Sequence, residues 1–500
     1  MLRSSYDVVI VGTDLPGLIF GALAAKKGYR VLVLGHGGRD NVYEVDGHRF
    51  VRRPNLLWGF ADSTPIREAF RELALAPEMR NLPRPLTPTC SVILPDARVE
   101  VTHMKGVLED EISREFPGRL EAFRDFTRRI AEVEPAVEPV LKDCPVVPPG
   151  GFREYFAWRR YRKAVAPLLA DGGADALAPL GDDPSLAAFF ASPVAAMSGI
   201  TDPRRHPLPF VRLANHLLRG LYFVEWGLDA LKALFLDRIR NNSGDVRPGD
   251  HVDMVVVRHG RIREVEVRAR DEAIGVGMMV AATDLGQLLD QIPVESAKRR
   301  YRQRVAKVEP SHWMVTLNVG ARRSLIPEGM AQTAFVVGNP HRPLEGGNLL
   351  IVQSDPAMEP ADSLDAERTA VAVSGLLPAT RFTGKPAELE AFSNELLAGL
   401  RGLMPFVDQH MTAISNAAIG TNPKNGEPAV DPAGLVPIYP DALDRGLDLV
   451  TWPVRTGYKN LLFLGDAACG ALGFEGAFVS AFMGSAILKK TIRIKVSSQQ

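Results

Sequence analysis

Two periodicities divide this chain. Short apolar runs that end in glycine alternate with longer stretches in which apolar residues recur every three or four positions. The first run is Asp7-Val8-Val9-Ile10-Val11, which predicts a buried strand. Gly12-Thr13-Asp14-Leu15-Pro16-Gly17 is a turn, Leu18 to Lys27 predicts a helix, and Arg30 to Leu34 predicts a second strand. This is the strand-turn-helix-strand order of a dinucleotide-binding unit. In that unit a G-x-G-x-x-G turn sits under a pyrophosphate, and an acid ends the second strand. Here Asp14 takes the place of the middle glycine and Gly35 takes the place of the acid.

Residues 61–220 are helical in pattern, with Glu109 to Ile130 the longest charged amphipathic stretch. Pro145 to Gly151 and Ala170 to Pro184 interrupt this region. Residues 221–300 hold a helix, Leu228 to Ile239. Two alternating runs follow, Val246 to Val257 and Arg261 to Arg268, and then a buried run, Gly277 to Asp284. Residues 308–420 predict antiparallel strands (Trp313 to Val319, Thr333 to Val337, Asn348 to Gln353, Thr369 to Leu377), a helix Pro386 to Leu403, and a strand Met411 to Ala417. The last region holds a strand, Asn460 to Leu464, that ends in Gly465-Asp466. Gly473-Phe474-Glu475-Gly476 then leads into a helix from Ala477 to Lys490. The expected organisation is an α/β protein. A discontinuous Rossmann-like domain is built from 1–60, 221–300 and 421–490. A mixed sheet-plus-helix substrate or lid domain is built from 61–220 and 301–420, with a tail at 491–500.

Composition narrows the function classes. At 500 residues the chain can bury a large core. Its 59 basic and 59 acidic residues cancel, which argues against nucleic acid as a partner. Only the tail is basic, through Lys489, Lys490, Arg493 and Lys495; this is a solvated helix end or a weak peripheral membrane contact. Three scattered cysteines, Cys90, Cys144 and Cys469, give neither a disulfide framework nor metal-ligand spacing and suit a reducing cytoplasm. The start of the chain does not read as a signal peptide, and no apolar run has the length of a membrane span. No nucleophile-base pair stands out. Trp58, Phe60, His312, Trp313, Met278 and Met279 read as packing residues.

Three patches carry a resemblance. They are Val8 to Leu34, Gly244 through Ile262 with Met279 to Asp284, and Leu464 to Ala468 with Gly473 to Ala477. In order and content they resemble the phytoene desaturase and amine oxidase group of FAD-dependent oxidoreductases. That superfamily also contains the Rab GDP-dissociation inhibitors, which keep the fold without flavin chemistry. The resemblance implies FAD, hydride transfer to it from an apolar or amine substrate, and a cofactor site at Gly12, Gly17, Val252, Gly465, Asp466 and Ala477. By that resemblance Val252 stacks near the adenine, Asp466 holds a ribityl hydroxyl, and the helix start at Ala477 faces the flavin ring. It implies no catalytic side chain.

Two residues pull the other way. A carboxylate at Asp14 adds bulk and like charge under a pyrophosphate, unless it turns inward as the helix N-cap. Gly35 cannot accept from a ribose; Gly37-Gly38 then reads as a flexible turn, or Arg39 and His36 meet a phosphate instead. The alternative function is therefore a pseudo-oxidoreductase, a binding or assembly subunit with a protein partner and no flavin. Glu475, beside the flavin-facing helix start, is expected to point to solvent.

Overall fold

A computed structural model describes residues 2–169, 178–181, 183–202, 206–357, 367–439 and 452–492. Its longer elements, in chain order, begin with strand β1 (Leu2–Val11), helix α1 (Leu15–Lys26) and strand β2 (Val31–Leu34). Helix α2 (Thr64–Glu72), strands β3 (Cys90–Leu94) and β4 (Ala97–Val101), and helices α3 (Leu120–Asp143), α4 (Phe152–Leu169), α5 (Pro184–Ser198), α6 (Pro207–Arg219) and α7 (Gly227–Asn241) follow. Next come strands β5 (Asp245–Arg247), β6 (Met254–Arg258), β7 (Arg261–Val267), β8 (Glu272–Ala281), β9 (His312–Arg322), β10 (Thr333–Val337), β11 (Gly346–Ser354) and β12 (Arg368–Pro378). Helix α8 (Pro386–Leu403), strands β13 (Met411–Asn416), β14 (Leu435–Ile438) and β15 (Leu461–Phe463), and helix α9 (Phe474–Thr491) complete the order.

Two large sheets result. The first runs β5-β2-β1-β8-β7-β6, with β15 beside the second half of β8. Its β5, β2, β1, β8 and β15 are parallel, and β7 and β6 fold back antiparallel. Parallel strands covered on both faces read as continuous apolar runs, which is why Val8 to Val11 and Val31 to Leu34 are at most 1% exposed. Helix α1 is apolar all round and has eleven buried residues; it lies against α7 and α9. The second sheet runs β13-β9-β12-β11-β10-β3-β4, with β14 also on β9. Its pairs are antiparallel except β10 with β3. Helix α8 covers one face of this sheet through Leu389, Phe392, Leu396 and Leu400.

The α/β class and the nucleotide unit hold. The structure corrects three expectations about elements. Glu109 to Ile130 is two helices, because Pro117-Gly118 breaks it; the first is Lys105–Glu115 and the second is α3. Val246 to Val257 is also two pieces, β5 and β6, parted at Pro248-Gly249. The final helix starts at Phe474, so Ala477 lies in its first turn rather than at its start. Most of the break at Ala170 to Pro184, and Arg493 and Lys495 of the tail, lie outside the described residues.

All three cysteines are buried free thiols. Trp58 and Phe60 are packed in the core, as is His312, which pairs with Glu345. Among the described residues no helix is long and apolar enough to cross a membrane.

Candidate functional site: a groove at the ends of the parallel strands

The C-terminal ends of β1, β8 and β15 converge on one crevice, the usual ligand position in open α/β sheets. Gly12 closes the turn after β1. Its φ is +98°, and a Cβ there would stand 2.1 Å from the Ala282 carbonyl oxygen. Gly17 has the same neighbour, with its missing Cβ 2.3 Å from Ala282 Cβ. Close packing against Ala282 therefore demands both glycines. The Asp14 N–H donates to the Ala282 carbonyl at 2.9 Å, which ties the turn to the end of β8.

Asp14 occupies the N-cap position of α1, but its side chain does not cap that helix. It reaches across the crevice and accepts the backbone N–H of Asp466 at 3.2 Å. Gly465 permits this, because a Cβ there would lie 3.1 Å from Asp14 Oδ2. The Asp466 carboxylate pairs with the Arg53 guanidinium, and both side chains are largely buried, at 33% and 20% exposed. The two carboxyls titrate apart. Desolvation and the neighbouring Asp466 charge raise Asp14 to about 7. Asp466 is held below its usual range: burial opposes ionisation, but the Arg53 charge and hydrogen bond outweigh it. Lys232 on α7 is the second cation facing both carboxyls.

Two adjoining cavities of about 190 and 350 Å³ share Arg53, Tyr439, Asp466 and Ala467 as walls. The larger runs past Thr13, Asp14, His36, Thr283 and Lys232. The smaller runs past Ala477 on the first turn of α9 and is lined by apolar groups such as Leu56, Met197, Met314 and Phe474. Of the predicted site residues, Asp466 and Ala477 thus line the groove, with Gly12, Gly17 and Gly465 packed behind it. Val252 is 2% exposed in the core beside Leu32 and Leu34; its N–H donates to His36 Nδ1 at 3.1 Å, and it lines neither cavity.

The loss of the ribose acid at Gly35 has a steric cause. A Cβ at this position would stand 1.9 Å from the Pro248 carbonyl oxygen. The chain after β5 lies over the end of β2, and the Gly35 N–H donates to the Arg247 carbonyl at 3.0 Å. Arg39 is also committed, to Asp431 at 2.7 Å. Restoring the acid by Gly35→Asp is therefore expected to cost about 1–3 kcal/mol in overpacking, read as a lower melting temperature, with no gain in dinucleotide affinity.

Glu475 corrects the expectation most sharply. It is buried, not solvated. It accepts Arg212 Nε at 2.9 Å and Nη2 at 2.6 Å, Ser63 Oγ at 2.6 Å, and faces His216 Nε2 at 3.3 Å. Arg212 also pairs with Glu134 of α3 and lies 3.7 Å from Glu138. This cluster pins the first turn of α9 to α2, α3 and α6. Its charge pairs hold Glu475 far below the usual carboxylate range against the cost of burial. Among the described residues no group of His, Cys, Asp or Glu is arranged to hold a metal ion.

Comparison with known proteins agrees with this geometry. Residues 10–73 match the NAD(P)-binding Rossmann-like domain family. A prolycopene isomerase of Daucus carota is 20% identical over 335 residues, covering 64% of this chain and 53% of that protein. The chain thus matches about half the length of this relative. Putrescine oxidase bound to putrescine superposes with a TM-score of 0.55 at 16% identity, over 98% of this chain and 99% of that one. Cyclohexylamine oxidase from Brevibacterium oxydans gives 0.55 at 13% identity, over 98% and 100%. By fold, the chain is similar to these two oxidases over nearly its whole length.

A dinucleotide, the ligand class in the name of the matched Rossmann-like family, can be tested against the groove. A diphosphate in the larger cavity would meet the N-terminus of α1, with Arg53 and Lys232 in the same cavity to balance its charge. Asp14 is compatible when neutral, because a protonated carboxyl donates a hydrogen bond to an anion where a carboxylate repels it. The residues fit a dinucleotide on that condition. Sequence reasoning found Asp466 through its Gly-Asp turn. Arg53, Lys232 and Arg212 carried no local signal, since each meets its partner across hundreds of residues.

Proposed function

We propose that the protein is an FAD-dependent oxidoreductase of the desaturase or amine oxidase type, acting on an apolar or amine substrate. The observation that carries this reading is the pair of adjoining cavities with Asp466 in the wall of both. The larger cavity offers a helix N-terminus and two cations to a diphosphate. The smaller offers an apolar lining and the first turn of α9, whose dipole favours negative charge on a reduced ring. Bound flavin supplies the hydride acceptor. The chain's own part is to bind and orient: Arg53 and Lys232 balance the phosphates, Asp466 accepts from a polyol hydroxyl, and the apolar wall excludes water. Two relatives named above are amine oxidases and one is an isomerase of a carotenoid; their names support the class of chemistry, and the apolar lining supports the class of substrate.

A second reading is favoured by one observation. The Asp14 carboxyl on the Asp466 N–H, with Arg53 on the Asp466 carboxylate, closes the groove from within. A binding or assembly protein without flavin fits that closure. An absorbance spectrum of the purified protein, before and after FAD is added and the excess removed, separates the two. Retained flavin bands are expected, and Asp466→Ala should weaken retention about tenfold or more, the scale of one lost charged hydrogen bond. A folded protein that stays colourless in FAD supports the second reading. Retention unchanged in Asp466→Ala overturns the assignment of that residue.

A further inference from the structure

Helix α4 stands outside the groove and presents an unusual outer face. Positions 152, 155, 156, 159 and 163 follow helical spacing, and Phe152, Tyr155 and Phe156 are 77%, 46% and 50% exposed. The Phe152 and Phe156 rings meet edge to face at 4.6 Å, so the aromatics form one knob. The other side of the helix is anchored. Tyr161 and Val165 are buried, and Glu154 is held by Arg455 at 3.0 Å and Lys490 at 2.7 Å. Arg153, Arg159, Arg160, Arg162 and Lys163 are exposed on the same helix; positions 159 and 163 share the face of the knob, and Arg160 also pairs with Asp143 at 3.4 Å. Across residues 152–166, five cations stand against one carboxylate, and that carboxylate is already paired.

We infer that the outer face of α4 docks the protein on an anionic lipid surface, with Phe152, Tyr155 and Phe156 entering the headgroup region and the arginine-lysine collar meeting lipid phosphates and carboxylates. The charge complementarity selects this occupant. The exposed parts of the three rings amount to roughly 350 Å² from the usual size of aromatic side chains. A stable protein interface takes about 800 Å² from each partner, whereas an aromatic anchor inside a cationic collar is what interfacial helices use on bilayers. The inference does not rest on flavin binding. It adds a route by which an apolar molecule could reach the protein from a bilayer.

The full-length protein should be sedimented with vesicles of phosphatidylcholine alone and of phosphatidylcholine mixed with phosphatidylserine, at low and high salt. Binding is expected to the mixed vesicles only, and to fall with salt. Phe152→Ser with Phe156→Ser should lower the partition coefficient about tenfold or more. Arg159→Glu with Lys163→Glu should do the same. All four side chains are exposed, so both variants should melt like the parent. No binding to the mixed vesicles, or binding that neither pair of substitutions weakens, overturns the inference. So does a protein that self-associates through this face, seen as a dimer in solution that the phenylalanine pair dissociates.

Discussion

Arg212→Ala is expected to lose about 3–5 kcal/mol of stability, the cost of breaking a buried ion pair from one side. The side chains of Arg212 and Glu475 are both fully buried. Removing the guanidinium leaves Glu475, Glu134 and Glu138 facing one another, with Arg219 at 3.9 Å from Glu134 and His216 at 3.3 Å from Glu475 as their remaining basic neighbours. Glu475→Ala should cost less, because Arg212 keeps Glu134 and Glu138. Arg212→Leu with Glu475→Leu should recover much of the loss, since an apolar pair of similar volume carries no desolvation penalty. The pH dependence has a definite sign. In the parent, Glu475 is held well below its ordinary value, so its contribution is present above the unfolded carboxylate pKa and is lost only in acid. In Arg212→Ala the orphaned carboxylates gain by taking up protons. The deficit should therefore be largest near neutrality and shrink as pH falls toward about 5. Urea unfolding of the three variants at two pH values tests this. A deficit below about 1 kcal/mol, the range of a surface pair, would show that the cluster is not the clamp between α9 and helices α2, α3 and α6.

What the sequence disclosed, and what it hid, follows the range of the forces involved. The nucleotide unit was legible because a buried parallel strand and an all-apolar helix are local patterns, and close packing against Ala282 requires Gly12 and Gly17. Two breaks were also written locally, at Pro117-Gly118 and Pro248-Gly249, but the surrounding amphipathic and alternating patterns obscured them. Glu475 could not be placed from its neighbours. It stands beside glycine in the first turn of a helix, where an acid is ordinarily solvated, and its partner Arg212 is 263 positions away. Gly35 is the reverse case. The missing acid suggested a lost ligand, whereas the cause is the chain after β5 lying across the end of β2. Asp14 was legible as an anomaly but not in direction, because only the folded chain brings the Asp466 N–H opposite it.

Asp14 should control both FAD affinity and its pH dependence. Its pKa is raised from 3.8 to about 7, first by desolvation and then by Asp466. Stability linked to this group is therefore full at acid pH and is lost as pH rises through the folded value. Ionised at pH 8, it costs roughly 2–4 kcal/mol, the pKa shift converted and reduced for partial exposure. Asp14→Asn keeps an acceptor for the Asp466 N–H without the charge, so it should raise the melting temperature most at pH 8, less at pH 5, and little at about pH 3, below the unfolded pKa. The same proton governs a dianionic ligand. With Asp14 neutral, the diphosphate meets a donor; with Asp14 ionised, two charges about 4 Å apart repel by roughly 4 kcal/mol at an effective dielectric of 20. FAD affinity should be flat below about pH 7 and then fall up to tenfold per pH unit. Asp14→Asn should abolish that slope. Asp14→Gly should abolish it too and raise affinity at pH 8 by about tenfold or more, because the parent must take up a proton one pH unit above the Asp14 value and the variant also lacks the bulk. Fluorescence titration with FAD across the pH range reads all three proteins. A parent with no slope, matched by both variants, would place the diphosphate away from Asp14. Slopes equal in all three would assign the proton to another group facing the groove, with His36 next in line along the same cavity wall.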